Sequence, residues 1–298
     1  MNWEFLREEE FEGAIEKCGG LCVIPMGCLE KHGQHLPVGI DSIKARGLAE
    51  QAAKIEEVMV FPSGMWLGEV CGFHADADPG AIRKRGGIAI NPQTLFTILE
   101  ELCEEIARNG FRKILFLNSH GGNVALLNQF VRSFYYKPRD FAVMTMPVNN
   151  PKISKPEYMY PIVLERRDEF PYLTDEDMEA LRKFSETGTG GGHADWYETA
   201  LAYAYCPETV AADRFDAESG LTTHRAAHLE KFGINCGRFW PSNFPNAYHG
   251  YAPFGCSENI GKAMAHLICT EHLAKAFKAV KEDEDCVRMA KRLPPIEK

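Results

Sequence analysis

Four short apolar runs divide the first half of this chain, at residues 21–26, 58–62, 113–117 and 140–146. Each reads as a buried strand. Helical patterns fill the gaps, over 42–57, over 92–109 and from 123 to about Arg132. Asp41 stands at the N-cap position of the first, and Asn91-Pro92 open the second, with Gly110 as its stop. Strands alternating with helices imply βαβ crossovers, hence an α/β protein with a mainly parallel sheet covered by helices on both faces. Residues 147–192, with five prolines and a glycine run at their end, read as an excursion near the active site of a single domain over 1–298. Helix returns at 193–206, residues 238–256 read as a loop, and 258–282 as a long helix with a charged tail after it.

Composition narrows the partners. A formal net charge of −9 and the lack of a basic stripe argue against nucleic acid. No window approaches the ~18 unbroken apolar residues of a membrane span. The acidic start, Met1 to Glu10, lacks the basic and apolar regions of a secretion signal, so a cytoplasmic location is expected. None of the 10 cysteines forms a Cys-x-x-Cys pair, which makes reduced, buried thiols the expectation. Cys28 and Cys256 lie close enough to candidate site segments to be accessory residues.

The chemistry concentrates just past the strands, where open α/β sheets bind ligands. Residues 30–41 read Glu-Lys-His-Gly-Gln-His-Leu-Pro-Val-Gly-Ile-Asp. Glu30 and His32 are two apart, so in extended backbone they face one ion. A turn with Pro37 and Gly39 could swing Asp41 back toward them, although capping alone would also explain an Asp there. His35 suits a supporting or structural role. Asn118-Ser119-His120-Gly121-Gly122-Asn123 follow the third strand, and their two glycines permit a sharp turn. Asn123 is open to a helix-cap role. In Gly191-Gly192-His193-Ala194-Asp195-Trp196-Tyr197-Glu198-Thr199, a helix beginning near Asp195 would leave His193 in the loop and Glu198 in the first turn. Carboxylates mixed with imidazoles suit zinc, manganese or iron better than calcium. Arg83, Lys84 and Arg85 could bind an anion, but a solvated charge run is the favoured reading.

These three segments, in this order, resemble the creatininase (creatinine amidohydrolase) family. Its first motif is matched at Glu30, His32, Gly33, His35, Leu36, Pro37 and Asp41. The second is matched at Asn118, His120, Gly121, Gly122 and Asn123, and the third at Gly192, His193, Ala194, Glu198 and Thr199. The resemblance implies a three-layer α/β/α sandwich carrying two divalent ions, zinc first, with manganese or iron also suited. It implies one ion on Glu30, Asp41 and His120, a second on His32, Asp41 and Glu198, and His193 as the catalytic, substrate-facing proton donor. It also implies a homo-oligomer, a hexamer by analogy. Lys31, Ile40, Ser119 and Asp195-Trp196 depart from the family pattern. Gly122 stands where creatininase has a ligand Glu, which is why Glu198 is taken as the ligand, with Asp195 as fallback.

The expected function is metal-dependent hydrolysis of a C–N amide bond in a small, polar, cyclic amide by a metal-activated hydroxide. The alternative is a metal-dependent C–C hydrolase opening a cyclic diketone such as a dehydro-inosose. A metal-storing or structural protein is the third reading.

Overall fold

A computed structural model describes residues 1–62, 68, 86–189 and 192–291. Cys71, the Arg83-Lys84-Arg85 run, Gly190-Gly191 and the end of the charged tail lie outside them. The described strands are β1 (Leu21–Met26), β2 (Met59–Val60), β3 (Lys113–Asn118) and β4 (Ala142–Pro147), all parallel, in the order β2-β1-β3-β4. Met26 pairs with Asn118 and Asn118 with Pro147, so three strands end level. That common edge is where the motif segments emerge.

Side chains alternate along the strands and sort onto two cores. Cys22, Ile24, Met26, Ile114 and Phe116 face α1 (Phe11–Lys17), α3 (Pro92–Arg108) and α4 (Asn123–Ser133). Leu21, Val23, Leu115 and Leu117 face the other way. There they meet α2 (Ile40–Ala52), α6 (Pro156–Glu165), α7 (Asp175–Thr187), α8 (Trp196–Tyr205) and α11 (Glu258–Ile268), while α5 (Pro151–Ser154) lies between β4 and α6. The layers are helix, sheet, helix, as expected.

Several boundaries differ from the sequence reading. Helix α2 starts at Ile40 with Gly39 as its N-cap. Asp41 is therefore inside the first turn and does not cap; its side chain is committed elsewhere. The 238–256 loop contains a short helix, α10 (Phe239–Asn243), after the short α9 (Ala227–Glu230). The 258–282 helix is interrupted by a π turn at Cys269–Leu273 before α12 (Ala274–Glu282), and α13 (Asp285–Ala290) follows. Residues 148–184 do more than border the site. Val148, Ile153, Met159, Val163, Phe170, Leu181 and Phe184 are buried in the same core as α2, α8 and α11.

The α8–α11 crossing depends on Gly261. A Cβ there would lie 2.2 Å from the carbonyl oxygen of Ala200 and 3.0 Å from the amide of Ala204. Alanine would gain about 1 kcal/mol of helix propensity, but overpacking against backbone costs about 1–3 kcal/mol. Gly261→Ala should therefore lower stability by a net of up to ~2 kcal/mol, read as a fall in the urea midpoint at constant slope. An unchanged or raised midpoint would show that the helices yield freely.

Candidate metal centre

Close backbone approach builds the site. A Cβ on Gly27 would lie 2.4 Å from the amide of Ser42, so the start of α2 rests directly on the chain leaving β1. This brings Asp41 beside the level strand ends. The 30–38 loop is closed by Glu30 N–H donating to the Val38 carbonyl at 3.0 Å, and Gly33 turns it at φ +58°. Asn118 stabilises the second segment, its Nδ2 donating to the His120 carbonyl at 2.8 Å. Asn123 sits inside the first turn of α4, with Gly122 in the cap position, and its Nδ2 donates to the Gly27 carbonyl at 3.1 Å. That bond ties two motif segments together.

Glu30, His32, Asp41, His120 and Glu198 converge and are all buried. His120 Nδ1 lies 3.0 Å from Glu30 Oε1 and 3.1 Å from Asp41 Oδ2. On the other side, His32 Nε2 lies 3.4 Å from Glu198 Oε2, 3.6 Å from Asp41 Oδ1 and 3.9 Å from Glu30 Oε1. Asp41 thus turns one oxygen to each group. Ligand atoms of Cys28, Glu30, Asp41 and His120 fall within 4.8 Å of one another, as do those of His32, Asp41 and Glu198, and those of Glu30, His32 and His193.

The donor set fits divalent cations. Glu30 Oε1 and His32 Nε2 are buried without a hydrogen-bond partner, a costly arrangement for polar atoms unless an ion completes it. His32 Nδ1 lies 3.1 Å from the Glu30 carbonyl. In the neutral ring, donating there would leave Nε2 as a lone pair aimed inward, the second-nitrogen arrangement of metal-bound histidines. Burial alone would lower the His32 imidazole, yet Glu198, Asp41 and Glu30 hold it up at about 9. That is the imprint of crowded negative charge.

The remaining candidates separate. His35 Nε2 lies 2.8 Å from the Ala194 carbonyl, and burial lowers its imidazole to about 4; it props the 193–195 loop. Asp195 caps α8, accepting from the amides of Tyr197 at 3.0 Å and Glu198 at 3.3 Å. Burial and then Glu198 raise its carboxyl to about 7, and its Oδ1 is spent on the cap while Asp195 joins none of the ligand groups, so the fallback ligand is Glu198's support. Cys28 Sγ lies 3.2 Å from Asp41 Oδ2 and joins the first group, whereas Cys256 is a core residue against the Trp196 carbonyl. His193 places Nε2 2.9 Å from the Lys31 carbonyl and Nδ1 3.5 Å from Glu30 Oε1, its ring stacked on His32 at 4.2 Å between centroids.

One residue escaped the sequence reading. Lys44, 1% exposed, places Nζ 2.7 Å from Asp41 Oδ1 and in contact with Glu198 Oε1. The available signal was its spacing, three residues after Asp41, which puts both on one helix face. Burial would lower its ammonium, but Asp41 and Glu198 outweigh that and raise it above its ordinary value. The centre opens into a cavity of about 600 Å³ whose lining includes Glu30, His120, His193, Trp240 and His249.

A family model for Creatininase, described as creatinine amidohydrolase, matches residues 4–277. The chain belongs to the creatininase family. It is 23% identical over 116 residues to the creatinine amidohydrolase of Pseudomonas putida, a match covering 39% of this chain and 43% of that protein. It is 29% identical over 121 residues to the mycofactocin precursor peptide peptidase of Mycobacterium tuberculosis, covering 40% and 47%. These matched segments span less than half the length of the two relatives. A solved creatininase shares its fold at a TM-score of 0.66 and 18% identity, over 95% of this chain and 98% of that one. Other solved creatininases include a mutant of Zn–Zn type and a Mn form. Among the described residues, no helix is long and apolar enough to cross a membrane.

Proposed function

We propose that this chain is a metal-dependent hydrolase that cleaves a C–N bond in a small, polar, cyclic amide. The observation that carries the reading is Asp41, which offers separate oxygens to two ligand groups on the floor of a cavity. Glu30, Asp41 and His120 would hold one divalent ion, and His32, Asp41 and Glu198 a second. Zinc is favoured, because a buried thiol, Cys28, stands beside the first group and thiols select softer ions. The Zn–Zn and Mn creatininases agree with both zinc and manganese as occupants. When bound, such ions lower the pKa of a water toward ~7 and polarise a carbonyl.

The protein's own residues do the rest. His193 is fixed at Nε2 by the Lys31 carbonyl, which leaves Nδ1 facing the centre beside Glu30. There it can take a proton from the attacking water and return it to the leaving nitrogen. Trp240 meets the His193 ring edge-on at 5.1 Å and walls the cavity with His249. Pro147, Val148 and Pro151 add apolar lining, so a compact ring with polar substituents is suited to the space. The names of the relatives, an amidohydrolase and a peptidase, both describe C–N cleavage and favour it over the carbon–carbon alternative. A homohexamer belongs to the same reading and is checked by light scattering.

The test is turnover of zinc- and manganese-loaded enzyme on lactams, cyclic ureides, formamides, short peptides and cyclic diketones. We expect release of amine or ammonia, or ring opening to a carboxylate, from an amide. Turnover confined to diketones would move the assignment to carbon–carbon hydrolysis. Tight metal with no turnover of any compound would leave a storage role.

A further inference from the structure

We infer that the two ligand groups are unequal in this chain, because Lys44 already supplies a cation to the second of them. The inference rests on the proposed metal centre and refines its occupancy. The Asp41 and Glu198 oxygens on the His32 side are already taken. Asp41 Oδ1 accepts from Lys44 Nζ at 2.7 Å, Glu198 Oε1 accepts from the same ammonium, and Glu198 Oε2 accepts from the Ala194 amide at 2.6 Å. Only His32 Nε2 is left without a partner on that side. On the first side no ammonium reaches the oxygens among the described residues: Glu30 Oε1 and Asp41 Oδ2 face His120 Nδ1 at 3.0 and 3.1 Å, and the Cys28 thiol, which donates to Asp41 Oδ2 at 3.2 Å, is a further ligand.

Charge points the same way. Glu30, Asp41 and Glu198 bring three negative charges and Lys44 one positive. A single divalent ion on Glu30, Asp41 and His120 completes neutrality. A second would carry two more positive charges into contact with a buried ammonium, where neither bulk water nor salt screens the repulsion. One divalent ion is therefore held tightly, and the second binds weaker by about 100-fold or more.

The experiment is a Zn²⁺ titration of the folded, metal-stripped protein by calorimetry with chelator competition, checked by elemental analysis after dialysis. We expect one retained zinc per chain and a second, weak site. Lys44→Met removes the charge while keeping most of the side chain, and Lys44→Gln does so while keeping a donor. Each should tighten the second site by about tenfold or more and leave the first within a few-fold. Two equally tight zincs in the unsubstituted protein would overturn this inference and leave the proposed hydrolase standing. So would a second site indifferent to both substitutions. No tight zinc at all would overturn the metal centre and this inference together.

Discussion

Asp41→Asn should reduce kcat/KM by about 10³-fold or more and lower metal content in the same preparation. The carboxamide keeps the shape but replaces one inward oxygen with an NH₂ group, which cannot accept from Lys44 or ligate an ion. Whichever way it turns, one of the two ligand groups loses its shared member. The metal-free protein should also be less stable, since a buried ammonium keeps only Glu198 as a charged partner. Activity therefore has to be compared at equal folded fraction, set by circular dichroism and the thermal midpoint. Full turnover after reconstitution with excess zinc would refute the bridging role of Asp41.

His193→Gln should lower kcat by about 10²–10⁴-fold, the usual range for a positioned proton carrier, with KM changed little. Metal content is the discriminating readout. His193 Nδ1 also lies within ligand reach of Glu30 and His32, so its geometry allows either role. If it carries protons, the variant keeps its metal and loses rate. If metal is lost in step with rate, His193 is a ligand. Unchanged kcat would remove it from the chemistry altogether.

The layer order and the rim position of the chemistry were legible because both follow from local pattern. Alternating apolar runs specify a covered parallel sheet, and polar, glycine-rich segments directly after such runs have to lie at its carboxyl edge. Lys44 was not legible. A lysine on an amphipathic helix reads as a solvated stem, and only α8 packing on α2 shows that two carboxylates enclose it. The start of α2 was misplaced for a related reason. An Asp just before a helical pattern has the local signature of a cap, and only the approach of Gly27 to Ser42 draws Asp41 into the helix and toward the centre. The packing of 148–184 was hidden by prolines, which suggest loop until Pro151 and Pro156 are seen to open helices. Asp195 and Cys28 illustrate the limit for single residues, since a carboxylate or thiol near a motif can serve a cap, a core or an ion.

His193 and His249 exchange backbone hydrogen bonds, at 2.9 Å and 3.3 Å, and the amide of Gly192 adds a third to the His249 carbonyl. The proposed proton carrier and a residue of the cavity wall are therefore rungs of one ladder. Attempts to retune selectivity by lengthening or shortening the 240–250 stretch would drag the imidazole out of alignment. Swapping side chains at fixed loop length is the route by which a new guest could be accepted without forfeiting speed.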